Sequence, residues 1–386
     1  MLEIGASGSG SVQAPKRFYV PELDCLRFLA FLGIFFFHTR DYLQYTGLPS
    51  LSFTLANVIG MIDEAGEFGV DLFFVLSAYL ITELLLREKE IAGELHVPAF
   101  YLRRILRIWP LYFFFLGIAS LLTLLGGPGE HLDWKHLVGF SLLSGNWTFI
   151  LFGIPSSVAD PLWSVSVEEQ FYLCWPPLVK RLSVRGLVVA AIVMLITSNL
   201  TRLLLYVLIH PRNQSVWYNT LTRLDPIALG ILLALLLRSK RISLDRPRRM
   251  LLLCISLLAL VAAARYARLD WNSEPMSVVG LLAYPIVAFS CFGIVLATRG
   301  VSTHIVRNAA LIYLGKISYG LYVYHMLGVW IVEKSFGFPH GSFHVAVALA
   351  DGLGLTIALA SVSYHFLELP FLRWKKRFTY VPSRPV

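Results

Sequence analysis

The chain has 386 residues, of which 56% are hydrophobic and only 15% charged, with a mean hydropathy of +0.67. A soluble domain of this size carries about 25% charged residues, so the composition excludes an ordinary water-soluble enzyme and points to an all-α polytopic membrane protein. The net charge of +9 does not indicate nucleic acid, because the lysines and arginines gather in short blocks between apolar runs, as they do in cytoplasmic loops.

Residues 1–18 read as a polar, Gly/Ser-rich tail, predicted to be disordered and lacking the apolar core and cleavage site of a removable signal. Apolar segments follow near 24–45, 64–86, 106–126, 160–179, 186–209, 219–237, 250–267, 277–298, 309–333 and 344–368. Each approaches the roughly 20 residues that a ~30 Å hydrocarbon layer requires, so about ten transmembrane helices are predicted. The apolar stretch 137–153 is broken by Gly139, Gly145 and Gly153 and reads as a re-entrant or interfacial piece. Residues 372–386 form a basic tail. Placing both termini in the cytoplasm puts 23 of the 33 Lys and Arg residues on the inner side, which is the expected orientation. Four cysteines, Cys25, Cys174, Cys254 and Cys291, stand far apart in apolar sequence and are expected to be small buried hydrophobes; no metal-binding spacing accompanies them.

Charged groups inside apolar segments are expensive, which makes them functional candidates. Arg27 and His38 are eleven residues apart in one apolar run, close to three helical turns, so they share a face at about 16 Å separation along the axis. An imidazole suits proton abstraction from a hydroxyl at neutral pH, and a fixed cation suits a site that handles negative charge. A structural hydrogen-bonding histidine is the alternative.

Arg104 and Arg107 lie three apart on one helical face where the third span leaves the cytoplasm, with Arg103 beside them. They read either as positive-inside flanking or as a guanidinium clamp for phosphates. Glu168 and Glu169 are adjacent carboxylates within a span and point about 100° apart, so one of them faces any given site. A helix cap or an ion pair with an intramembrane arginine explains them as well. Asp71, Arg223, Asp225, His325 and Glu368 complete the intramembrane polar set. Arg223 and Asp225, two apart, need partners on other helices. Tyr319, Tyr322 and Tyr324 with His325 either line an acceptor cavity or belong to an interfacial aromatic belt.

In their order these motifs resemble the acyltransferase-3 family of integral membrane O-acyltransferases, from about Tyr19 to Phe371. They comprise Leu23-Asp24-Cys25-Leu26-Arg27 with its spacing to His38, the run Gly69 to Ser77, Arg104 with Arg107, the run Trp163 to Tyr172, the run Gly315 to Tyr322, and Glu368-Leu369-Pro370-Phe371. Ala78 departs from the glycine usual after that serine, which predicts slightly wider helix packing there. The resemblance implies a membrane acyltransferase domain over 19–371 followed by a basic cytoplasmic tail over 372–386; some members carry a fused soluble hydrolase-like domain, which is not expected here because the sequence stops shortly after the last span.

It also implies transfer of an acyl group, usually acetyl, from cytoplasmic acetyl-CoA or another acyl-CoA to a hydroxyl acceptor, without a metal. Such a protein sits in the bacterial plasma (inner) membrane among lipids, and the acceptor class implied is a cell-surface or exported carbohydrate. Small glycosides such as macrolides are an alternative acceptor, and a transporter of lipid-linked sugars is the rival class. In the family Arg27, His38, Arg104 and Arg107 correspond to essential residues, and Glu368 to an implicated one. With the residues above, this predicts His38 as general base, Glu168 as the carboxylate that orients it, Arg27 on the cofactor or developing charge, and Arg103, Arg104 and Arg107 on the CoA phosphates.

Overall fold

Proline can occupy the first turn of a helix without losing a hydrogen bond, and the helices that carry Arg27 and Arg104 both begin that way, with Pro21 and Pro98. The computed structural model describes residues 18–45, 53–209, 213–239, 242, 244–267, 277–301 and 308–381. The expected tails 1–17 and 382–386, and Lys240, Arg241 and Arg307 of the basic blocks, lie outside the described residues.

Among the described residues the chain is helical, in the order α1 Pro21–His38, α2 Phe53–Gly66, α3 Gly69–Ala92, α4 Val97–Leu124, α5 Trp134–Ser141, α6 Gly145–Phe152, α7 Leu162–Arg181, α8 Val184–Ile209, α9 Asn213–Trp217, α10 Leu224–Ser239, α11 Arg246–Ala267, α12 Val278–Thr298, α13 Ala309–Lys316, α14 Ser318–Phe336, α15 Ser342–Ser363 and α16 Leu369–Lys375. The extended pairing seen is a single bridge between His131 and Ser156.

The ten apolar segments are mainly helical, two of them (64–86 and 309–333) crossing a break between consecutive helices, and six helical stretches are long and apolar enough to cross a membrane. They lie at Gly60–Ala92, Val97–Leu124, Val184–Ile209, Arg246–Tyr266, Val278–Thr298 and Ser342–Phe378. The protein is therefore an all-helical, multi-pass membrane protein. The other predicted spans fall on α1, α7, α10 and α14, which are shorter or carry more polar groups. These are inner helices: α14 buries Gly320 through His325 without interruption, and α10 buries Asp225 through Ile231. Lipid-facing helices must be apolar, whereas inner helices can bring polar groups to one another.

Helix α1 is held by unusually close contacts. A Cβ on Gly66 would lie 2.4 Å from the Gly33 carbonyl oxygen, one on Gly69 2.4 Å from that of Ala30, and one on Gly315 2.0 Å from that of Asp24. Without a hydrophobic driving force between helices in lipid, small residues let backbones approach and gain dispersion contacts. Opposite Ala78, Gly230 packs so tightly that a Cβ there would meet the Val75 carbonyl at 2.4 Å and the Ala78 methyl at 2.8 Å. The missing side chain on α10 thus provides the room that the Ala78 methyl takes.

Arg223 on the turn before α10 pairs with Asp71 of α3 at 2.8 Å, and Arg202 of α8 pairs with Asp225 at 2.5 Å. Ser198 bridges the second pair, accepting from Arg202 at 2.7 Å and donating to Asp225 at 3.1 Å. All four charged groups are buried, and aromatic rings cover the arginines, with Trp217 at 4.3 Å from Arg223 and Tyr284 at 4.8 Å from Arg202. Asp71→Asn leaves the Arg223 charge uncompensated, an expected loss of roughly 3–5 kcal/mol. A lower unfolding midpoint in detergent, partly restored by adding Arg223→Met, is the expected measurement.

Two expectations are corrected or refined. Cys25 and Cys291 are buried, but Cys174 and Cys254 are exposed. The outer surface of a membrane helix is as apolar as its core, so apolar neighbours in sequence do not distinguish the two faces. The 137–153 stretch is two eight-residue helices, α5 and α6, joined through Leu143 at φ 56. Each is about 12 Å long, too short to span. Asp133 caps α5, accepting from the backbone N–H groups of Lys135 at 2.9 Å and His136 at 3.0 Å.

Candidate active site

The inner helices enclose a cavity of about 180 Å³ walled by α1, α3, α4, α7, α14 and α16. One end is basic. Arg104 and Arg107 project into it from α4, Lys375 from α16 and Arg27 from α1. Among the described residues no carboxylate comes within salt-bridge distance of Arg27, Arg104, Arg107 or Lys375. The Arg104 guanidinium rests against the rings of Phe100 at 5.4 Å and Tyr172 at 5.6 Å, and its Nε has no hydrogen-bond partner. Unpaired guanidinium groups held on aromatic faces are preorganised to receive an anion.

Glu168 faces the same cavity beside Arg27, Ser77 and Tyr172, the last two hydrogen-bonded to each other. Glu169 points away, as the 100° offset between neighbours requires, and accepts from Trp109 Nε1 at 3.0 Å. Tyr319 lines the cavity and donates to the Ile108 carbonyl at 3.1 Å. Glu368 lies in a π-turn between α15 and α16, buried, with Oε1 unpartnered and Arg107 as its charged neighbour.

Tyr322 marks the deep end. Its hydroxyl donates to the Pro161 carbonyl at 2.8 Å and bonds Ser164 Oγ at 2.7 Å. Behind it stands His325, fully buried, with ring centroids 5.6 Å apart, and behind His325 stands His38, at 4.9 Å. His38 is exposed and is not part of the cavity wall. Arg27 therefore lines the cavity, whereas His38 lies outside it, reached from Tyr322 through the His325 ring.

The hydrogen bonds assign both imidazole tautomers. His38 Nδ1 lies 2.9 Å from the Ile34 carbonyl, and His325 Nδ1 lies 2.6 Å from that of Tyr322. A carbonyl only accepts, so each Nδ1 carries the proton. His325 Nε2 then presents a lone pair to His38 Nδ1–H at 3.1 Å. His38 Nε2 is left unprotonated and open, the form a general base needs.

Several predicted residues take other positions. Glu168 makes no hydrogen bond to His38; the ring facing His38 is His325, because α14 rather than α7 packs beside the end of α1. Arg103 is not on the cavity wall but ion-pairs with Glu88 and donates to the Phe378 carbonyl at 2.7 Å. It points about 100° away from Arg104, onto the protein side of α4. Asp71, Arg223 and Asp225 meet one another and Arg202, not the cavity. Arg202 carries a sequence signal of its own, a lone arginine in an apolar span. Ser77 and Tyr172 were visible only as the ends of two motif runs, and Lys375 only as one of many inner-side charges.

Residues 20–365 match the protein family described as Acyltransferase domain. Curated relatives include a Staphylococcus aureus (strain COL) protein named Putative O-acetyltransferase SACOL0978, 27% identical over 97% of this chain and 61% of its own length. Another is O-acetyltransferase OatA of S. aureus (strain NCTC 8325 / PS 47), 27% identical over 95% of this chain and 59% of its own length. A third, from Bacillus subtilis (strain 168), is named Putative peptidoglycan O-acetyltransferase YrhL and is 28% identical over 91% of this chain and 55% of its own length. The chain thus spans about three-fifths of the length of these relatives. No solved structure matches significantly.

Proposed function

Because the chain belongs to the acyltransferase-3 family, over residues 20–365, we propose that it is a bacterial inner-membrane O-acyltransferase moving an acetyl group from cytoplasmic acetyl-CoA to a hydroxyl of a cell-surface sugar. Ten helices cross the membrane, with both termini cytoplasmic. The observation that carries this reading is the unpaired basic cavity ending at Tyr322, one ring behind which stands the His325–His38 pair. The B. subtilis relative's name makes a peptidoglycan sugar the first acceptor to assay.

In this scheme Arg104 and Arg107 hold the CoA phosphates at the inner face, and the pantetheine arm runs past Arg27 and Glu168 toward Tyr322. The acceptor comes from the exposed side of His38. Tyr322 must yield for the thioester to pass, since it closes the cavity in this structure. His38 Nε2 then takes the hydroxyl proton as the acceptor oxygen attacks the thioester carbonyl. The C–S bond breaks as the C–O bond stays formed, and the leaving thiolate takes the proton back from the imidazolium. Arg27 lies where it can compensate negative charge along the donor's path. His325 is a positioning residue: its lone pair holds His38 Nδ1–H, and a partly charged His38 gains a hydrogen-bond acceptor there.

The direct test is purified protein in nanodiscs with acetyl-CoA and muropeptide or oligosaccharide acceptors, reading free CoA and the ester by mass spectrometry. No CoA release with any hydroxyl acceptor, from protein that is folded, overturns the reading. His325→Ala should reduce kcat by about tenfold to a hundredfold with the KM for acetyl-CoA unchanged, and shift the pH–rate profile; unaltered kcat and pH profile would remove its positioning role.

A further inference from the structure

We infer that Lys375 on the short helix α16 is a phosphate ligand of the donor site, a role that rests on the reading of the cavity as the acyl-CoA site. Lys375 lies outside the residues matched to the family, yet its side chain lines the cavity with Arg104 and Arg107. The charged groups acting most strongly on it are cations: Arg107, Arg104, Arg103 and Lys376. Glu88, the nearby carboxylate that lines the adjoining cleft with Lys375, pairs with Arg103 through Oε2, and its Oε1 makes no hydrogen bond to Lys375.

A lysine on a flexible stem normally carries its ammonium to water and away from like charge. This one is held in place by the docking of the segment around it. Leu372 and Val381 are buried, Arg103 donates to the Phe378 carbonyl at 2.7 Å, and the Tyr380 ring stacks on His96 at 5.3 Å and 11°. Arg103 therefore serves as the tether that brings the C-terminal segment under α4, and Lys375 is what that segment delivers.

The arrangement suits the donor's charge. The nucleotide end of CoA carries two separated anionic groups, a diphosphate and a 3′-phosphate. The cavity offers positive charge from more than one helix, Arg104 and Arg107 on α4 and Lys375 on α16, besides Arg27 on α1 and Lys316 on α13. An anionic lipid headgroup presents the same phosphate chemistry, so the experiment separates the two sources.

Acetyl-CoA and 3′-dephospho-CoA binding would be measured for the whole chain in phosphatidylcholine nanodiscs, with Lys375→Gln and Lys375→Arg. Lys375→Gln should weaken acetyl-CoA binding about tenfold and raise KM with little change in kcat, while Lys375→Arg retains most of the affinity. Loss confined to acetyl-CoA assigns Lys375 to the 3′-phosphate, and equal loss for both ligands assigns it to the diphosphate; both support the inference. Unchanged affinity in Lys375→Gln overturns it, as does an equal loss in Lys375→Arg, which marks a docking defect. A loss seen only in nanodiscs containing phosphatidylglycerol gives the lysine to a headgroup and also overturns it. If the wild-type chain binds no acetyl-CoA, the donor-site reading itself falls, an outcome distinct from a tight-binding wild type with an indifferent Lys375→Gln.

Discussion

His38→Ala is expected to lower kcat for acetyl transfer by about 10²–10⁴-fold, the usual contribution of a positioned general base, while leaving the Kd for acetyl-CoA within about twofold of wild type. The separation follows from the geometry. His38 is outside the cavity that holds the proposed phosphate ligands, reached from Tyr322 through the His325 ring. Removing its ring deletes nothing the donor touches at the basic end. The fold should also tolerate the change, because His38 is exposed at the last residue of α1 and its Nδ1 bonds only Ile34 O and His325 Nε2. Steady-state turnover combined with direct acetyl-CoA binding checks both halves. Near-normal turnover in this variant would refute the base assignment, and lost donor binding would place the imidazole in the donor site instead.

Arg104→Ala combined with Arg107→Ala should act the opposite way, on donor binding. Charge-assisted hydrogen bonds to phosphate contribute about 1.5–3 kcal/mol each, so the pair should weaken acetyl-CoA binding by at least roughly a hundredfold. The same variant carries an independent prediction for the ligand-free protein. Arg27, Arg104, Arg107 and Lys375 share one cavity without salt-bridge partners, so the unliganded state bears their mutual repulsion, offset in part by Glu168 near Arg27 and Glu368 near Arg107. Neutralising Arg107 with glutamine should therefore leave the unfolding midpoint unchanged or raised without ligand, and should reduce the rise that saturating acetyl-CoA produces. Structural arginines behave differently: Arg202, fully buried against Asp225, should lower the midpoint when replaced by glutamine. An Arg107→Gln variant that melts early and binds acetyl-CoA normally would reassign Arg107 to the fold.

The helices were legible because apolar run length reports directly on lipid exposure. All ten segments are mainly helical, although the helices most involved in the site, α1, α7 and α14, give the weaker membrane signals. Polar side chains that serve a cavity dilute the apolarity that identifies a span. Helical spacing was equally informative within single helices. It separated Glu168 from Glu169, placed Arg104 and Arg107 on one wall, and required Arg223 and Asp225 to find partners elsewhere.

The sequence by itself determined an all-helical membrane protein with a cation pair on one helical face and an imidazole three turns from an arginine. Those properties depend on composition and on the 3.6-residue period, both local. Only the tertiary structure decided which side chains meet: His325 rather than Glu168 against His38, Arg103 with Glu88, and Lys375 beside Arg104 and Arg107. Such pairings depend on which helices are neighbours, and here that is set by close backbone crossings at Gly66, Gly69, Gly230 and Gly315, whose effect no single segment reveals.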